Sequence, residues 1–282
     1  MAADSVAPSV RRPSALPPPR ELPKENPIMQ RVNAVFGELG EISVMLAGAV
    51  RALFRRPFEG REILHQIESL GVASTGIVVI TSVFIGMVMS TQFAFGLQKF
   101  GGMEYTGRVV AMSFARELAP TLTAVIVGGR IGAGMTAELG SMAVTEQIDA
   151  IQALGADPVK KLVAPRLIAS VIVMPMLGVL ALALGFSGAM LITDLQFGIP
   201  ARFFLSSALA TVKMADFLSG VIKTPVFGMI IAAVGCHFGI KTRGGTAGVG
   251  NNTTRTVVVT SIAILIFDFF LTKLGILLWK YA

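Results

Sequence analysis

The chain is short of the residues that usually do chemistry in soluble enzymes. Of its 282 residues, one is cysteine and two are histidine. The single thiol, Cys236, cannot close an internal disulfide. It stands in an apolar run beside His237, where a thiolate–imidazole pair is the sharper reading and a small buried hydrophobe the plainer one. His65 is the other histidine. With no HExxH and no cysteine pair, a zinc or haem site has almost nothing to draw on, so neither a metal site nor a catalytic residue is assigned. Charge is scarce as well: Asp, Glu, Lys and Arg make up 15% of the chain, against about 25% in soluble domains. No GxxxxGK[ST] occurs, and GGTAGVG at residues 244–250 lacks the Lys and Ser/Thr that would complete a phosphate-cradling loop. No cofactor is expected, and if transport is driven by ATP, the nucleotide is bound by a partner subunit.

Apolar residues fill the space that charge leaves. They make up 53% of the chain, and the mean hydropathy is +0.72. The excess falls in long runs: residues 69–98 and 167–193 contain no Asp, Glu, Lys or Arg. About 20 apolar residues suffice for a helix to cross the hydrocarbon layer. The composition therefore predicts an all-α polytopic membrane protein and excludes a soluble enzyme, a nucleic-acid-binding domain or a secreted disulfide scaffold. The formal charge of +7 then reads as the basic flanks of membrane helices rather than a nucleic-acid surface.

Residues 1–28 form a Pro-rich tail with Arg11, Arg12, Arg20 and Lys24 and no signal-peptide core; such a segment is expected to stay disordered. Residues 29–66 follow, and up to Arg56 their apolar positions recur at steps of three and four. Glu38, Glu41 and Arg51 interrupt them, which suits an amphipathic helix lying in the membrane interface and ending at Arg55–Arg56–Pro57. The alternative is an ordinary helix packed on protein. Residues 67–282 hold five expected spans, near 70–95, 107–137, 167–193, 217–240 and 254–279, with a short surface helix after Pro200. Arg51, Arg55, Arg56 and Arg61, then Lys160, Lys161 and Arg166, then Lys241, Arg243 and Arg255 fall on one side. The positive-inside rule makes that side the cytoplasm, with the N-terminus inside and the C-terminus in the periplasm.

Ionisable groups inside spans mark the places where function could lie. The second span holds Arg116 and Glu117. They meet a lipid headgroup, gate a cavity, or lock helices together, and as sequence neighbours they point in different directions. Lys223 and Asp268 lie at ~25 and ~21 Å from the cytoplasmic ends of the fourth and fifth spans, which predicts an interhelical ion pair. Gly128 and Gly132 form a small-xxx-small pair that fits packing within the chain or a dimer seam. Residues 141–157, SMAVTEQIDAIQALGAD, read as a short cytoplasmic helix with Ile148, Ile151 and Leu154 on one stripe and acids elsewhere. It is suited to docking in a groove of another protein, or to resting on its own membrane domain.

Two stretches carry a family resemblance. Residues 116–169 read RELAPTLTAVIVGGRIGAGMTAELGSMAVTEQIDAIQALGADPVKKLVAPRLIA, and residues 244–258 read GGTAGVGNNTTRTVV. Both closely resemble the MlaE/YrbE permeases of MCE-type lipid ABC transporters, from about residue 70 to the C-terminus. The resemblance implies an interfacial helix plus five transmembrane helices and a homodimer bound to an ABC ATPase. It further implies a periplasmic MCE-domain protein and, in some systems, a STAS-domain partner. The implied cargo is phospholipid or a related lipid, moved from or to the bacterial inner membrane, with no role for nucleic acid. The family's coupling helix maps onto residues 138–157, with Glu138, Glu146, Asp149 and Asp157 as its acids, and Arg116 and Glu117 fall nearest the lipid headgroup. The rival expectations are an ion-gradient-driven secondary transporter of a hydrophobic substrate, a membrane-embedded lipid enzyme, and a passive anchor for an ATPase. The first would need inverted repeats and the second a nucleophile–base or metal constellation.

Overall fold

A computed structural model describes residues 27–53 and 60–280; the residues 1–26 of the Pro-rich tail and the Arg55–Arg56–Pro57 cluster lie outside them. The chain divides into two compact units, residues 1–40 and 41–282. All the regular structure among the described residues is helical. Helix α1 (Pro27–Leu53) contributes its first half to the first unit, where Phe36 and Leu39 are exposed. In the second unit Ala49 and Ala52 are buried while Val44 and Val50 are bare, so apolar residues occupy two sides of this part of the helix.

Five helical stretches are long and apolar enough to cross a membrane, and the protein is a multi-pass all-α membrane protein. The first is α2 (Gly60–Gln98). It starts well before the expected boundary, because no proline interrupts residues 60–70 and Gln66 Nε2 donates to Glu62 one turn back at 3.1 Å. Residues 60–66 are therefore the first turns of the helix that carries the first span. The second span is not one regular helix: α3 (Thr106–Ser113) leads into a π-helical stretch, Phe114–Leu122, and then α4 (Thr123–Val144). The short helix α5 (Gln147–Ala153) follows. A π turn at Val159–Val163 then opens α6 (Ala164–Phe197), the third span.

Gly198, at φ 65°, ends α6 in the left-handed conformation, and Pro200 starts α7 (Ala201–Thr211). This helix after Pro200 is more than a surface element, since Phe204 is fully buried and Gly107 of α3 lies against its backbone. The fourth span, α8 (Met214–Ile240), turns through Gly244 and Gly245, both at positive φ, into α9 (Gly245–Lys280).

Small residues set the packing. Along α2, Ser74, Val78, Ser82, Gly86, Ser90 and Ala94 form one buried stripe. Gly86 rests on the Gly185 backbone, Gly188 on Val83, and Ser90 hydrogen-bonds Thr193, all across to α6. Helices approach this closely only where no side chain separates them, and without a hydrophobic drive in lipid such contact supplies much of the association energy. On the other side, Thr136 Oγ1 donates at one of two acceptors, Gly132 O or Gly235 O, and meets Thr256 Oγ1 at 2.7 Å, tying α4, α8 and α9 together. The remaining faces of α2 and α9 are apolar and bare, with Phe84, Phe95, Phe267 and Phe270 exposed.

Candidate functional site

The polar centre of the molecule grows from Pro120. Proline has no N–H, so the carbonyl four residues earlier, that of Arg116, lacks its α-helical donor. The stretch is wound as a π-helix, a form that concentrates at functional sites. Lys223 Nζ, from α8, lies 3.2 Å from the Arg116 carbonyl oxygen. The same ammonium donates to Glu117 Oε2 at 2.8 Å, Asp268 Oδ1 at 3.1 Å and Thr272 Oγ1 at 2.7 Å. Thr272 in turn donates to Glu117 Oε1 at 3.1 Å. One buried ammonium thus joins the second, fourth and fifth spans.

The burial is graded. The side chain of Lys223 is 6% exposed, that of Asp268 17% and that of Glu117 40%. Two carboxylates share one ammonium, and the half-exposed Glu117 is the member that can meet an incoming polar group. Arg116 turns the other way: Nε and Nη2 bind Asp216 Oδ1 at 2.8 and 2.6 Å. The other oxygen of Asp216 accepts the Lys213 N–H at 2.9 Å, capping the start of α8. Gly220 allows α8 to sit directly on the Ala115 carbonyl. Pro225 leaves the Val221 carbonyl of α8 without its helical donor, and Thr224 Oγ1 donates to it at 2.8 Å.

The expected docking segment is rearranged. Residues 141–144 continue α4; the chain breaks at Glu146, whose φ of 60° is left-handed, and α5 spans only Gln147–Ala153. Ile148 is buried and Ile151 packs partly on the core, but Leu154 is 87% exposed, because the helix ends before it and Gly155 turns the chain. Leu154 is therefore not on the inner stripe. Glu138 belongs to α4 rather than to α5 and binds the buried Arg166 at 2.5 Å. Asp157 follows α5 and accepts the Val159 N–H at 2.9 Å. Glu146 and Asp149 are exposed.

Gly128 and Gly132 face their own chain, against Ile231 and Thr256 respectively. Cys236 is fully buried, and His237 Nε2 lies 3.8 Å from Glu41, which also binds Lys241. Asp216, Thr272 and Arg166 are the partners that sequence reasoning missed. Depth counting offered a signal for one link: Glu117 lies 20 residues, ~30 Å, from the expected span end at residue 137, close to the level counted for Lys223.

A bundle of five spans, joined through a buried ion cluster and ending in an exposed helical corner, is the build of a membrane permease subunit. Residues 63–274 match the family described as Permease MlaE. The chain belongs to that family. It is 36% identical over 232 residues to the chloroplastic protein trigalactosyldiacylglycerol 1 of Arabidopsis thaliana, covering 82% of this chain and 66% of that one. It is 39% identical over 246 residues to a probable ABC transporter permease protein of Synechocystis sp., covering 87% and 90%. A probable ABC transporter permease protein of Rickettsia bellii is 34% identical over 249 residues, covering 88% and 96%. A permease of this type works with an ATPase subunit and in a dimeric arrangement.

Proposed function

We propose that this permease moves phospholipid or a related lipid between the inner membrane and a periplasmic MCE-domain protein, as a homodimer driven by its ATPase. The observation that carries the reading is the half-exposed Glu117 on the Lys223–Asp268 node, beside spans whose remaining faces are apolar and bare. Acyl chains lie along the bare faces of α2 and α9, and the zwitterionic or anionic headgroup lies at the polar node. The name of the Arabidopsis relative, which is that of a galactolipid, supports a lipid cargo.

The driving force enters at the α4–α5 corner. Leu154 stands out as an apolar knob flanked by Glu146, Asp149 and Asp157, the chemistry of a helix that seats in a partner's groove. ATP-driven movement of that groove pushes α5, and α4 carries the motion to the ion node. The corner faces the cytoplasm, α1 lies in the interface, and a STAS-domain protein is a further partner in some assemblies. In this reading the ATPase binds the nucleotide and the permease supplies the lipid path.

The test is reconstitution of the permease with its ATPase in vesicles carrying a fluorescent phospholipid. ATP-dependent transfer to an MCE-domain acceptor supports the reading. Transfer that persists with an ATPase lacking its Walker lysine, and stops with an ionophore, overturns it in favour of a gradient-driven transporter.

A further inference from the structure

The second span carries two arginines in contrasting surroundings. Arg116 is neutralised by Asp216 at 2.6 Å. Arg130 is exposed and, among the described residues, has no carboxylate partner; its hydrogen bond runs from Nη1 to Ser74 Oγ at 2.9 Å. Ser74 gives its own proton to the Leu70 carbonyl at 2.6 Å. The hydroxyl oxygen is therefore turned to the guanidinium, fixing the side chain without cancelling its charge. A guanidinium offers five N–H donors, and this contact takes one.

The position is unusual for a charge. Ser74 is five residues, ~7 Å, inside the charge-free run that opens at residue 69. Ionised side chains inside membrane segments are retained where they meet protein, water or a polar ligand. Arg130 stands one helical turn beyond Ile126, which with Thr81, Ile85, Leu118 and Leu122 lines a small crevice between α2 and the second span. Through Ser74 the arginine is held at the same pair of helices. A tethered, exposed guanidinium within an apolar span complements a phospholipid headgroup: its planar fork binds phosphate oxygens in pairs.

We propose that Arg130, held by Ser74, receives the phosphate of a phospholipid on the part of the second span nearer the α4–α5 corner. This headgroup position lies 14 residues, ~21 Å, along the second span from Arg116. The inference rests on the lipid-cargo reading above and adds an entry or exit station to it. A strut that merely joined α2 to α4 would be indifferent to phosphate.

Photolabelling separates these cases. The full permease–ATPase complex, with Ile126→benzoylphenylalanine or, separately, Leu118→benzoylphenylalanine, is placed in phosphatidylcholine vesicles. These are doped with radiolabelled phosphatidylglycerol or radiolabelled diacylglycerol, the latter lacking phosphate. The expected result is selective phosphatidylglycerol labelling at position 126 that falls about tenfold in Arg130→Gln and stays within about threefold of the native level in Arg130→Lys. Diacylglycerol labelling is expected to be unchanged. Ser74→Ala, which frees the arginine without removing its charge, is expected to give an intermediate loss. Equal labelling by both lipids at position 126, with or without Arg130, overturns this inference while leaving the lipid-cargo reading intact. A crosslink to a second copy of the chain in place of lipid also overturns it. Absence of lipid labelling at both 118 and 126 overturns the lipid-cargo reading itself.

Discussion

Lys223 Nζ lies 3.2 Å from the carbonyl oxygen of Arg116, four residues before Pro120 in the π-helical stretch. A side chain from one span thus reaches the backbone of another, and the same ammonium holds Glu117 and Asp268.

Removing that ammonium leaves two carboxylates facing each other around an empty place. Lys223→Met is expected to destabilise the protein by about 3–5 kcal/mol, the usual effect of stripping one partner from a buried ion pair. Adding Glu117→Gln and Asp268→Asn to the same protein is expected to recover most of the loss. Thermal unfolding of the detergent-solubilised variants checks both; a triple variant no more stable than Lys223→Met contradicts the charge account.

Asp216 works both as the Arg116 counter-ion and as the cap of α8. Asp216→Ala is expected to cost about 1–2 kcal/mol, in line with a lost helix cap and a partly exposed ion pair. Asp216→Asn keeps an acceptor for the Lys213 N–H and is expected to cost less than half as much. Chemical unfolding midpoints measure the difference.

The α2–α6 seam is set by contact with backbone. Gly86→Ala would drive a methyl group into the Gly185 carbonyl, which cannot swing aside as a side chain can. An expected loss of about 1–3 kcal/mol follows from overpacking. Gly76, on the same helix, has nothing within 4 Å of an added methyl group. Gly76→Ala is expected to be neutral or stabilising by up to about 1 kcal/mol. The two melting curves should therefore shift in different directions or by clearly different amounts.

At the α4–α5 corner, charge reversal at Glu146 and Asp149 is expected to leave the permease in the membrane while uncoupling ATP hydrolysis from lipid transfer. Leu154→Ala is expected to weaken ATPase binding by about tenfold, as for an interface anchor worth a little over 1 kcal/mol. Co-purification yield and vesicle transfer rates measure the two effects. Unchanged transfer in the charge-reversed protein counts against docking there.

The first and third spans were legible because a charge-free run of that length has one home; the other three were legible as apolar runs broken by only a few charges. The meeting of Lys223 with Asp268 was legible from depth, since both lie nearly the same number of turns from one side. The π-helical stretch was not, because Pro120 in an apolar run announces a disturbed helix without saying which way the bonding shifts. Asp216 was not legible as a helix cap, since it lies one residue before the expected span at 217–240. Arg166 was grouped with the basic flank, and its burial against Glu138 depends on how α4 and α6 cross. Leu154 shows the limit of periodicity: the three-and-four spacing continues on paper past the last helical residue, and only the turn at Gly155 decides where the side chain goes.

The ion node also constrains biogenesis. Ribosomes deliver Glu117 first, Lys223 about a hundred residues later, and Asp268 and Thr272 last. Until the final helix is released from the translocon, the lysine has the glutamate as its sole counter-charge within the node. The last span to insert is therefore the one that completes neutralisation of the first charges to enter, and a chain cut short before Asp268 is left with an unfinished node for quality-control proteases to find.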